Sequence, residues 1–188
     1  MFNSNEVVEV SNTYIKPGVH ENVEVTGIST GEAKSGTPYV QIDFKTPDGL
    51  TLEEKLYFSK DGTKYSLRKI IHLFTQHMER AVVDKADSTA KTIGQYATNL
   101  YNLIKGKKTR IKFVGEEIEG TEGKQNWIKA RLGFSPFAEP MTVSKTDSKL
   151  IYNPDNAYDL KKLDTSSTED LMKHKSSVLN MVDELPFK

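Results

Sequence analysis

PYVQIDFKTPDGLTLEEKLYFS, residues 38–59, decides the fold. Val40, Ile42 and Phe44 alternate with Tyr39, Gln41 and Asp43, the period-two pattern of a strand with one buried face. Pro47-Asp48-Gly49 reads as a tight turn, because proline presets one dihedral and glycine permits a positive φ. Thr51–Ser59 then places Leu52, Leu56 and Phe58 on one face, interrupted by Glu54. Upstream, Pro17-Gly18 forms a turn, Val19–Ile28 alternates, and Ser29–Pro38 is a Gly/Ser/Thr/Lys loop. The expectation is a three-stranded meander behind an irregular leader over residues 1–16.

Downstream the period changes. Leu67, Ile70, Ile71, Phe74 and Met78 recur at helical spacing behind Ser66 as N-cap. Ile93, Ala97, Leu100 and Ile104 form a second helical stripe between about Ser88 and Lys105, ended by Gly106. Thr109–Glu119 and Asn126–Phe134 alternate again, with Ile111, Phe113, Ile128, Ala130 and Leu132 inward, before Pro136 and Pro140 end regular structure. Three strands, one or two helices and two strands is the connectivity of an OB-fold, a five-stranded Greek-key barrel. The expected fold is therefore mainly β, with a helical insert at about 61–105 between strands 3 and 4. Residues 1–144 read as the folded domain and 145–188 as a flexible tail.

The chain has 188 residues and no cysteine, so a disulfide framework, thiolate zinc sites and cysteine nucleophiles are excluded. No apolar run approaches the roughly 18 residues of a membrane helix, and MFNSNEVVEV lacks the layout of a secretory signal. A soluble, cytoplasmic chain without membrane contact is expected. The 26 Lys+Arg balance 26 Asp+Glu, but unevenly. Residues 1–60 carry nine acids and five bases, whereas Lys105–Arg131 carries eight bases and four acids. Strand alternation sorts the bases. If the apolar set points inward, then Tyr39, Lys55, Tyr57, Arg110, Lys112, Trp127, Lys129 and Arg131 point outward. Cations suit phosphates, and flat rings suit unstacked bases. Lys107 and Lys108 precede the fourth strand, while Lys34 and Lys124 sit in loops ahead of Tyr39 and Trp127, as oligonucleotide-clamping loops do in OB-folds. This set is the expected nucleic-acid-binding face. Each residue taken alone also fits an ordinary exposed strand or loop.

Two resemblances extend this reading. The end, Asp183-Glu184-Leu185-Pro186-Phe187-Lys188, resembles the C-terminal tip of bacterial single-stranded DNA-binding proteins, an acidic run ending in Ile-Pro-Phe. In that family the tip recruits replication and repair enzymes, so the resemblance implies partner binding by Asp183, Glu184, Leu185, Pro186 and Phe187. Here Lys188 displaces the terminal carboxylate by one residue. Ile15-Lys16-Pro17-Gly18-Val19-His20, Ser35-Gly36-Thr37-Pro38-Tyr39-Val40 and Glu54-Lys55-Leu56-Tyr57-Phe58-Ser59 resemble the OB-type single-stranded DNA-binding proteins of bacteriophages, over about residues 14–135. That implies a non-enzymatic protein of the host cytoplasm that coats single-stranded DNA, largely without sequence preference, during phage replication or recombination.

No cofactor or metal is expected. An alternative is an OB-type adaptor between replication proteins that binds no nucleic acid. Another is a Mg²⁺-dependent nuclease, since Asp48, Glu53, Glu54 and Lys55 imitate a PD-(D/E)xK string, although the turn accounts for Pro47-Asp48-Gly49 in full. His72 and His77 are five residues apart and share no helix face for a metal. Stacking serves DNA and RNA alike, and monomer and homo-oligomer both stay open.

Overall fold

The computed structural model of the chain describes residues 14–121 and 125–163. The alternating segments become ladders. β1 (Gly18–Glu32) pairs antiparallel with β2 (Pro38–Lys45), and β2 with β3 (Thr51–Tyr57). Val40, Ile42 and Phe44 are fully buried, as their spacing predicts. β1 is 15 residues long and serves two partners. From Glu24 onward it pairs with β2, while Gly18–Glu24 pairs with β4 (Lys108–Ile118). The register shifts between His20 and Val23 and again between Val25 and Gly27, and Asn22 sits at φ 54° inside the first shift. Such bulges bend and twist a strand, and Asn is among the side chains that tolerate positive φ. The sheet curls at β1 as a result.

β5 (Trp127–Leu132) pairs with β4 from Phe113 to Ile118, giving the order β3-β2-β1-β4-β5. Two short strands, β6 (Ala138–Pro140) and β7 (Leu160–Lys161), also join β4 and bring the sheet to seven strands. Among the described residues no ladder joins β3 to β5, so the sheet is not a closed barrel. The expected count of five strands is corrected accordingly.

Three helices lie between β3 and β4: α1 (Thr63–Phe74), α2 (Arg80–Ser88) and α3 (Ile93–Ile104). Ser66 is not the N-cap. It lies inside α1, buried, and its hydroxyl donates to the Tyr57 carbonyl at 2.6 Å, tying the helix to the end of β3. Thr92 does cap α3, its hydroxyl accepting the Gln95 amide at 3.1 Å. The helices supply Ile70, Leu73, Phe74, Leu100 and Ile104 to the core that they share with the inner face of the sheet. Across that core Phe44 meets Phe113 edge to face at 5.5 Å. None of the described helices is long and apolar enough to cross a membrane.

The gap between β3 and β5 is bridged from below. Lys69 of α1 places Nζ 3.2 Å from Glu54 Oε1 on β3 and 2.6 Å from the Leu132 carbonyl of β5. Glu54, the residue that interrupts an apolar face in the sequence, is buried at this bridge. Burial pushes its carboxyl above the usual range, with Lys69 and the Leu132 backbone pulling the other way.

Residues 145–163, read from the sequence as the start of a tail, pack on the sheet. Leu150 and Asp159 are buried, and β7 lies parallel to β4 at Gly115–Glu116. β5 already holds the other edge of β4 there, so β7 continues the line of β1 beyond Gly18. Residues 164–188, including the motif at 183–187, lie outside the described residues.

Lys69→Met leaves Glu54 buried without its cation. It should lower the free energy of unfolding by about 3 kcal/mol at neutral pH. The loss should shrink as the pH falls toward the ordinary glutamate range, because protonated Glu54 needs no cation. Denaturant unfolding of both proteins at two pH values measures this, and an equal loss at both would contradict the bridge.

His72 gives a second test. Its Nε2 accepts the Phe137 and Ala138 amides at 3.2 and 3.3 Å, and its Nδ1 lies 3.1 Å from Ser135 Oγ, an arrangement that needs a neutral ring. Burial holds its pKa below 6.5. The unfolded chain therefore binds the proton first, and this contribution to stability is lost as pH falls below 6.5 through the folded value. From about pH 7 to about pH 5.5, the wild type should lose stability more steeply than His72→Gln, whose amide oxygen can replace the Nε2 acceptor. Equal slopes would contradict it.

Candidate nucleic-acid interface

The open seam between β3 and β5 is a groove of about 1040 Å³. One wall is Thr51–Lys55 with Tyr57, the other is Asn126–Arg131, and Tyr14–Pro17 close one end. Ile15 donates its amide to the Thr51 carbonyl at 3.0 Å, which holds the leader at the start of β3. Trp127 is 52% exposed, Ile128 49% and Tyr57 41%. Most tryptophans are largely buried, so the open indole marks this wall, while Ile128, its neighbour in β5, points to the strand's other face. Lys16, Lys55 and Lys129 line the groove and take no part in the ion pairs among the described residues. Glu53 is the exposed carboxylate among them, since Glu54 is occupied by Lys69.

The cross-strand pair Tyr39↔Tyr57 sets the character of the β2–β3 wall. The rings meet edge to face at 5.6 Å, and Lys55 Nζ sits 4.8 Å from the Tyr39 centroid. On its other side Tyr39 reaches across β1, where a Cβ on Gly31 would lie 2.5 Å from its hydroxyl. Tyr39 is thus half-buried and held by Gly31, Lys55 and Tyr57, and Tyr57 is the ring left open. Lys34 is exposed in the β1–β2 loop, at the same end of the ladder as Tyr39 and Tyr57.

The expected basic face separates into three groups. Lys55, Trp127, Lys129 and Arg131 meet Tyr57 in the groove. Arg131 is shared with β4, its Nε 2.5 Å from Glu116 Oε2 yet out of line for a hydrogen bond. Lys107 and Lys108 are exposed at the opposite end of β4 from Ile118, the partner of Trp127. At strand rise that is roughly 30 Å away along the strand, and Lys108 faces Glu24 at 3.7 Å.

Arg110 and Lys112 are the correction. Alternation turns them away from the core, but the segment after β6 covers them. Arg110 is 4% exposed and binds Glu139 Oε1 at 2.9 Å, Glu21 Oε1 at 3.0 Å and the Val143 carbonyl at 3.0 Å. Lys112 binds Asp159 Oδ1 at 2.8 Å. Burial works to raise the Asp159 carboxyl, but Lys112 and the Asn153 amide outweigh it and hold it below the ordinary range. Lys124 lies outside the described residues. Ile128, expected inward, is open instead. Nothing in the sequence marks Tyr14 or Lys16 as part of the groove, or Lys69 as its bridge. Tyr14 and Lys16 belong to a leader without periodicity, and Lys69 looks like any polar helix residue.

The nuclease string does not assemble. Glu53 and Glu54 point to opposite faces of β3, Glu54 is held by Lys69, and Asp48 sits in the β2–β3 turn. Among the described residues no group of three His, Asp or Glu side chains is placed to hold a metal ion. The chain matches no protein-family model and no curated protein sequence.

An open Trp127 predicts that its fluorescence in the free protein is quenched efficiently by acrylamide and emits at water-exposed wavelengths. A blue-shifted, protected emission would contradict this geometry.

Proposed function

We propose that the protein binds single-stranded nucleic acid, DNA in the first place, in the groove between β3 and β5, without catalysis. The observation that carries this is the coincidence of Trp127 and Tyr57, both open, with Lys16, Lys55 and Lys129, all outside the ion pairs, along one seam. Bases can stack on the rings while the ammonium groups meet phosphates. The strand order supports an OB-type reading, with β1 between β2 and β4 and the helices between β3 and β4. Its usual closure between the third and fifth strands is replaced by the Lys69 bridge. In this reading the protein coats exposed single strands in replication or recombination of the phage type, and residues 183–187 recruit partner proteins.

A second reading draws on the sheet edges. Beyond the Tyr14–Thr51 bridge, the described residues form no ladder on the outer edge of β3 or β5. An extended peptide could add there, as in an adaptor. Affinity for oligonucleotides separates the two.

An oligo-dT of about 30 nucleotides, long enough for a full site, should quench Trp127 at low salt and dissociate steeply as salt rises. Trp127→Ala and Tyr57→Ala should each cost about 1–3 kcal/mol of binding. Lys55→Ala and Lys129→Ala should each flatten the salt dependence by about 0.7 in log–log slope. Arg110→Met should leave that slope unchanged and reduce stability instead. Undetectable binding of the oligonucleotide at low salt would overturn the proposal in favour of the adaptor.

A further inference from the structure

Beyond Tyr57 the surface passes from β3 to α1. The Ser66 hydroxyl holds the Tyr57 carbonyl at 2.6 Å, so α1 starts where the aromatic wall of β3 stops. Tyr65 and Arg68 share a helix face with Lys69 and His72, by the three- and four-residue spacing of an α-helix. That face is turned toward the loop after β5. Lys69 binds the Leu132 carbonyl, and His72 meets Ser135 Oγ and the Phe137 amide. Phe134 lies between these two attachments in the chain. It is 73% exposed, and Tyr65 is 46% exposed with Lys64 Nζ 5.0 Å from its ring centroid. A phenylalanine this open on a loop pinned at both ends has no packing role in the core. Lys64 and Arg68 take no part in the ion pairs among the described residues. Asp61, ahead of the helix, is also exposed.

We infer that the first helix and the loop after β5 form a second station for the same single strand, with Phe134 and Tyr65 stacking bases and Lys64 and Arg68 meeting phosphates. This rests on the single-strand reading of the groove and extends it. The strand leaves the sheet at Tyr57 and continues over α1, so the helical insert is part of the binding surface as well as cover for the core. The choice of nucleic acid over protein follows from charge: two open rings are accompanied by Lys64 and Arg68, which pair with no carboxylate among the described residues.

The test compares oligo-dT of about 6 and about 16 nucleotides, within the range of site sizes of small β-barrel binders, using Trp127 quenching at low salt. The wild type should quench with both. Tyr65→Ala and Phe134→Ala should each weaken the longer oligonucleotide by about 5- to 150-fold, the equivalent of one stacked base, and leave the shorter one unchanged. Arg68→Gln should flatten the salt dependence for the longer oligonucleotide alone. Because these side chains are exposed, the unfolding midpoint should stay at the wild-type value. Unchanged affinity for the longer oligonucleotide would overturn the inference and leave the groove reading intact, and so would an equal loss at both lengths. Failure of the wild type to quench with either would sink both readings.

Discussion

A single ammonium group, Lys69 Nζ, spans the place where the curled sheet fails to meet itself. It binds the Glu54 carboxylate on β3 and the Leu132 carbonyl on β5. Burying a carboxylate is costly, and the direction of the Glu54 shift shows that burial outweighs its partners. Such a pair adds little net stability. What it fixes is the separation of two strands that no ladder joins. The seam is held at Glu54 and Leu132 and stays open beside them, where Trp127 and Ile128 stand uncovered. An apolar pair in place of Glu54 and Lys69 would fill the same volume without holding a backbone carbonyl at a set distance.

The opposite flank of β4 is finished in the reverse way. There the chain after β6 folds back and consumes the charges it covers. Glu139 and Glu21 take Arg110, and Asp159 takes Lys112. A guanidinium with carboxylates on both sides is the form in which an arginine can be buried. The net charge of zero therefore has a local meaning. Bases on the covered flank are neutralised by acids brought from far along the chain. Bases along the groove, Lys16, Lys55 and Lys129, take no carboxylate partner among the described residues. Steering over long distances should be modest in a chain of zero net charge, and affinity would come from short-range contacts.

The strands were legible because alternation is a direct consequence of the pleat. Val40, Ile42 and Phe44 are buried where the period puts them, and Tyr57 and Trp127 open outward. Alternation says which side a residue faces, but not whether another segment will cover that side. Arg110 and Lys112 turn outward by alternation and are nevertheless covered. β6 and β7 have three and two residues, too few to show any period, and the covering they create was invisible. Glu54 was visible as a flaw in an apolar face. Its partner was not, since a lysine 15 residues on belongs to another element. Ser66 shows a similar limit, because a serine that opens a helix and one that braces a neighbouring strand look alike in sequence.

A single strand of nucleic acid lying in the open seam between β3 and β5, as proposed, would place its bases against Trp127 and Tyr57. Ultraviolet crosslinking of a bound oligo-dT, followed by mass-spectrometric mapping of the attached peptides, tests it most directly. Adducts should form on the peptides carrying Trp127 and Tyr57. Adducts confined to the Lys105–Lys108 end of β4 or to the segment 145–163, with Trp127 and Tyr57 unmodified, would contradict it.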